Sequence, residues 1–159
     1  MSDTPKTYPG DLATPADVLR LASEYRNAAK CLFELGRRRD DPQSHAPCRL
    51  AAIHAVELYL SALLLYHGHS ALEIRSLQHD LSERTRLAKQ GGLRLKKKTE
   101  ANLLAIMENR EYLVVRYGPE EMTGTGSPIS RLMATLNEVD KKVTAKITAS
   151  DRAKLSKVG

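Results

Sequence analysis

The chain has no Trp, a single Phe and only two cysteines among its 159 residues. Each scarcity excludes something. With so few aromatics, Leu and Ala supply most of the apolar mass, and both favour helix over strand. Cys31 and Cys48 stand alone, with no C-x-x-C spacing, so neither a disulfide framework nor a thiolate metal site is encoded. They read as buried free thiols, which makes a reducing cytoplasm the expected location. No uninterrupted apolar run reaches the roughly 18 residues of a membrane span, so no membrane is expected. The opening "MSDTPKTYPGDLATP" lacks the basic-then-apolar pattern of a signal peptide and reads as a mobile lead-in over 1–13. No segment alternates apolar and polar residues as a strand does. Three chemical motifs are missing as well. There is no G-x-S-x-G elbow. No Gly-rich loop follows a strand, although "GTGS" at 124–127 precedes a helix whose free amides could hold an anion. No histidine pair has H-E-x-x-H spacing, and His67 and His69 lack nearby partners, so no metal or other cofactor is expected.

What is present is helical periodicity with clear ends. Thr14, Pro15 and Asp17 form an N-cap, a first-turn proline and a capping box. Val18, Leu21, Tyr25, Ala28, Leu32 and Leu35 then make one stripe, with Gly36 able to close it. Residues 46–67 are apolar almost all round, the mark of a central buried helix, and Gly68 stops them. Ser70 with Glu73 caps a short turn. Asp80 with Glu83 opens a helix that Gly91 and Gly92 end. A fourth long helix is predicted from Leu95 to Tyr117. A fifth is predicted from Ser127 and Pro128, striped by Ile129, Leu132, Leu136, Val139, Val143 and Ile147. The expectation is all-α: one domain over 14–149, an up-and-down four-helix bundle with an additional C-terminal helix, and a frayed tail over 150–159.

Polar residues on apolar faces mark the candidate sites. On a helical wheel His54, Glu57 and Ser61 form a polar line in the most apolar helix. Buried carboxylates need a cation or several donors. Arg110 falls on the apolar stripe of a continuous 95–117 helix, so it is predicted to face inward and pair with Glu57. That pair reads either as a structural ion pair fixing helix register or as the floor of a pocket. "RLKKKTE" places Arg94, Lys96, Lys97 and Lys98 at a helix N-terminus, where cations oppose the macrodipole. It reads as a solvated helix start or as a phosphate-contacting nucleic-acid patch. The net charge of +6 permits either.

Three stretches in order resemble the HEPN family. "AAIHAVELYLSALLLYHG" (51–68) is similar to that family's A-x-E-x-x-L-x-A helix closed by Gly. "QHDLSERTRLA" (78–88) resembles its His-x-Leu at the head of the next helix. "EYLVVRYGP" (111–119) resembles its Arg-Tyr-Pro helix ending, with Gly118 inserted before the Pro. The resemblance implies an all-α bundle that is usually dimeric, often partnered by a nucleotidyltransferase or an antitoxin. Some members are metal-independent ribonuclease toxins with R-x4–6-H on a late helix. Here Arg49 and His54 match that motif only as text. They lie five residues apart, about 140° around a helix, and no His follows His79. The implied function is a non-catalytic HEPN-like module binding nucleotide, nucleic acid or a partner protein. Its site would lie near His54, Glu57, His79, Arg110, Arg116 and Tyr117, with Tyr117 as packing and Arg116 as a rim contact. The alternative is a ribonuclease using Arg49 and His54.

Overall fold

The computed structural model describes residues 6–39, 41–122 and 128–158. Among these the chain is all-helical: α1 (Pro15–Arg37), α2 (Ala46–Tyr66), α3 (Ala71–Ser76), α4 (Leu81–Gln90), α5 (Lys97–Glu108), α6 (Glu111–Tyr117) and α7 (Ile129–Ser156), with 3-10 turns at Pro42–His45 and Pro119–Glu121. The caps read from the sequence are in place. Thr14 and Asp17 form a reciprocal capping box, Ser70 and Glu73 form another, and the Asp80 side chain accepts from the Glu83 amide. Each satisfies amides that a helix start leaves free. The expected Ser127 cap and the "GTGS" segment at 124–127 lie outside the described residues.

α2 is the hub and touches α1, α3, α4, α6 and α7. Over 18 residues its mean hydropathy is 1.5, long and apolar enough to cross a membrane, but 67% of that window is buried inside the protein. Burying Val56, Tyr59, Leu60, Leu63 and Leu64 completely, or nearly so, yields on the order of 1.5–3 kcal/mol each. α7 packs along it through the predicted stripe: Leu132, Leu136, Val139, Val143 and Ile147 are buried. α7 also continues as exposed helix to Ser156, past the point where fraying was expected.

Two expectations are overturned. In α1 the buried positions are Ala22, Ala29 and Gly36, whereas Leu21, Tyr25 and Leu35 are exposed. Small side chains let α1 lie close against the alanine-rich α2, and this close approach rotates the larger apolar residues outward. Gly36 lies inside the helix rather than ending it: a Cβ there would come within 2.6 Å of His45 Nδ1 and 2.8 Å of the Ser44 carbonyl. The second correction concerns the long fourth helix. It breaks at Asn109 and Arg110, and Arg110 takes the left-handed conformation (φ 51°, ψ 37°). That single residue resets the helical phase, so periodicity drawn through it assigns the wrong faces to everything beyond.

Candidate functional site

Glu57, on the fourth turn of α2, is 7% exposed and lies between two imidazoles. His79 Nδ1 is 3.1 Å from its Oε1, and His54 Nδ1 is 3.5 Å from its Oε2. His54 comes from the preceding turn of α2 and meets Tyr25 edge to face at 4.4 Å. His79 sits in the α3–α4 connection, directly after Gln78, which is left-handed at φ 49°. Its ring packs on Tyr112 of α6 at 5.3 Å.

The cation in this cluster is Arg84, not Arg110. Arg84 is 6% exposed. Its Nε donates to Ser61 Oγ (3.3 Å), Nη2 to the Ile74 carbonyl (3.3 Å) and Nη1 to the Asp80 carbonyl (3.4 Å). It thus ties α2, α3 and the start of α4 together. Burial alone would push the Glu57 carboxyl up, but His54, His79 and Arg84 outweigh it and hold the group below its ordinary range. Burial in turn lowers the Arg84 guanidinium, opposed by Glu57 and Asp80. The sequence did carry a sign of this residue. Leu81, Arg84, Thr85 and Ala88 fall on one helical stripe, and all four are buried.

These side chains open onto a cavity of about 550 Å³ whose wall also includes Tyr8, Leu58, Arg75 and Gln78. Within the segment read as a mobile lead-in, Tyr8 and Asp11 are docked here. Asp11 pairs with Arg75 at 2.8 Å, and the Tyr8 ring lies 4.0 Å from the Arg75 guanidinium. The wall is lopsided: two imidazoles and two guanidiniums share it with the Glu57 carboxylate, although Arg75 is already paired with Asp11. With Glu57 facing both Nδ1 atoms, each ring keeps Nε2 for another partner. Such a wall suits an anion, phosphate above all. No group of three or more His, Cys, Asp or Glu among the described residues is arranged to hold a metal ion.

The other expected site residues divide. Arg110 is exposed and points away from Glu57, because the break at its own position turns it out. Tyr117 is not packing: it is 75% exposed, and with Arg110 and Glu120 it borders a small cavity of about 170 Å³. Arg116 is exposed on the last turn of α6. Arg94, Lys96, Lys97 and Lys98 are exposed around the start of α5, where Glu138 of α7 accepts the Lys96 amide. Lys97 joins Arg86 and Lys89 of α4 along a groove of about 680 Å³, although Arg86 is already paired with Glu83 and Lys89 with Glu100. Arg49 and His54, the textual ribonuclease match, line different cavities. Arg49 reaches Glu111 of α6 at 3.4 Å. No family model, curated protein or solved structure matches the chain.

Proposed function

We propose that this chain is a non-catalytic HEPN-like binding module. It takes a phosphate-bearing ligand, a nucleotide or an RNA end, in the cavity floored by Glu57. The observation that carries this reading is one buried carboxylate facing two part-exposed imidazoles, with Arg84 and Arg75 in the same wall. The exposed Lys97 and its neighbours would extend an RNA track by screening backbone charge. The separation of Arg49 from His54 speaks against the ribonuclease alternative. On this reading α1, α2, α5–α6 and α7 would make up a four-helix bundle, its up-and-down order following from the short connections. A homodimer would cover the apolar residues α1 leaves outside, Leu21, Tyr25 and Leu35.

The test is calorimetric titration with AMP and with a 5′-phosphorylated RNA hexamer, in wild type and in His54→Gln and His79→Gln. Saturable binding that weakens at least tenfold in both variants supports the reading. Absent binding, or variants that bind as wild type does, refutes it. Cleavage of the RNA refutes the non-catalytic part. Light scattering at micromolar concentration checks the dimer, and a monomer would overturn it.

A further inference from the structure

Residues 8–11, "YPGD", fold as a tight turn seated on the wall of the Glu57 cavity. The Asp11 amide donates to the Tyr8 carbonyl at 3.0 Å, and the Tyr8 amide donates back to Asp11 Oδ2 at 3.2 Å. Pro9 and Gly10 hold the two central positions, with Gly10 at φ 98°, the residue choice of a type II turn. Two bonds across four residues fix Tyr8 and Asp11 relative to each other. Both then meet one guanidinium. Asp11 Oδ1 accepts from Arg75 Nη1 at 2.8 Å, and the Tyr8 ring lies 4.0 Å from Arg75 Cζ. The turn does not cap α1, because Thr14 and Asp17 already do so.

Its effect on the cavity is electrostatic. Arg75 and Arg84 are the cations of the wall, and Glu57 is its carboxylate. With the imidazoles neutral, that wall carries one net positive charge. Asp11 cancels it, since its carboxylate takes the guanidinium edge that a phosphate oxygen would take. The Arg75 and Asp11 side chains are 37% and 34% exposed, so a ligand reaches the pair without opening the core. An exposed ion pair and an exposed cation–π contact are each weak. The turn is thus held firmly enough to compete and loosely enough to leave. Resting on the reading of this cavity as the phosphate site, we propose that the turn is a built-in anion that competes with the ligand for Arg75. Bound phosphate displaces Asp11, and apparent affinity is lowered by the fraction of molecules in which the turn is seated.

The test titrates AMP calorimetrically, at fixed low salt, into the full chain and two variants. Asp11→Asn keeps the shape of the side chain and removes its charge. Gly10→Ala keeps every charge: nothing lies within 4 Å of the added Cβ, so it acts only through strain at a positive φ. Each should bind AMP at least about threefold more tightly than wild type, with unchanged circular dichroism. If one of them unfolds, the other decides. In an Arg75→Ala background, Asp11→Asn should lose its effect. A folded variant that gains less than about threefold over a wild type that binds makes the turn structural only. That result overturns the proposal and leaves the cavity reading standing. If Asp11→Asn tightens binding as much without Arg75 as with it, general charge rather than competition is at work, and the proposal is again overturned. If AMP binds neither wild type nor either variant, the cavity reading itself fails and the competing turn falls with it.

Discussion

Replacing Arg84 with Ala removes a guanidinium that holds Ser61, Ile74 and Asp80 at once. Hydrogen bonds to charged groups contribute about 1.5–3 kcal/mol when well formed. At 3.3–3.4 Å these belong at or below the low end. Their sum is also reduced, because removing Arg84 recovers the cost of burying its own charge. Against that, Ala leaves two carbonyls short of a donor, Glu57 short of a cation, and a void where the side chain lay. Buried groups left without a partner cost about 1–3 kcal/mol each, and with the void this places the loss near 3. That is a large part of the roughly 5–15 kcal/mol that holds a domain together. Arg84→Met keeps most of the volume and should cost about half as much. Urea unfolding at pH 7, followed by far-UV circular dichroism, measures both. Adding Glu57→Gln closes a double-mutant cycle, and the electrostatic influence of Arg84 on Glu57 predicts coupling above about 0.5 kcal/mol. A loss below about 1 kcal/mol for Arg84→Ala, or Met as harmful as Ala, would refute the buried-cation account. Additivity in the cycle would mean that the histidines alone hold Glu57 ionised.

Further outcomes follow from other contacts. The folded-state Glu57 carboxyl lies below its ordinary 4.5, so the unfolded chain binds this proton more tightly. Its contribution is therefore full above about pH 4.5 and is lost as pH falls through the folded value. Acid unfolding of Glu57→Gln should accordingly depend less on pH below 4.5 than wild type, and parallel curves would contradict this. Burial pushes the Cys48 thiol up to about 11, whereas Cys31 is exposed. A colorimetric thiol reagent at pH 8 should titrate one cysteine in the native chain and both in urea; two fast thiols in the native state would disprove the burial. Gly36→Ala brings a methyl to 2.8 Å from the Ser44 carbonyl, and overpacking of about 1–3 kcal/mol should exceed the roughly 1 kcal/mol helix gain. A higher melting temperature for this variant would show that the Pro42–His45 turn yields easily.

Local signals in the sequence were legible because local chemistry decides them. Thr14 with Asp17 and Ser70 with Glu73 cap helices whatever lies beyond. The apolar periods of α2 and α7 named the core, and Glu57 was identifiable as a carboxylate inside it. The helix break at Asn109–Arg110 was not legible. No Gly or Pro marks it, and a left-handed Arg is held by tertiary fit rather than by preference. The mistaken Glu57–Arg110 pair follows from that one missed residue. Buried Glu111 was missed for the same reason, since its face depends on the phase after the break. The outward-facing Leu21 and Leu35 were misassigned because a stripe of large residues looks like a core face, whereas α1 buries its small ones.

The same break leaves α6 standing as a partition. Glu111 faces one cavity and the adjacent Tyr112 packs on His79, which borders the other. One seven-residue helix thus lines one cavity directly and touches a lining residue of the other, His79, through Tyr112. Any occupant that displaces it from one side changes the space on the other. Thermodynamic reciprocity would fix the two effects as one number: the factor by which an occupant of one cavity altered affinity in the other would equal the factor in reverse.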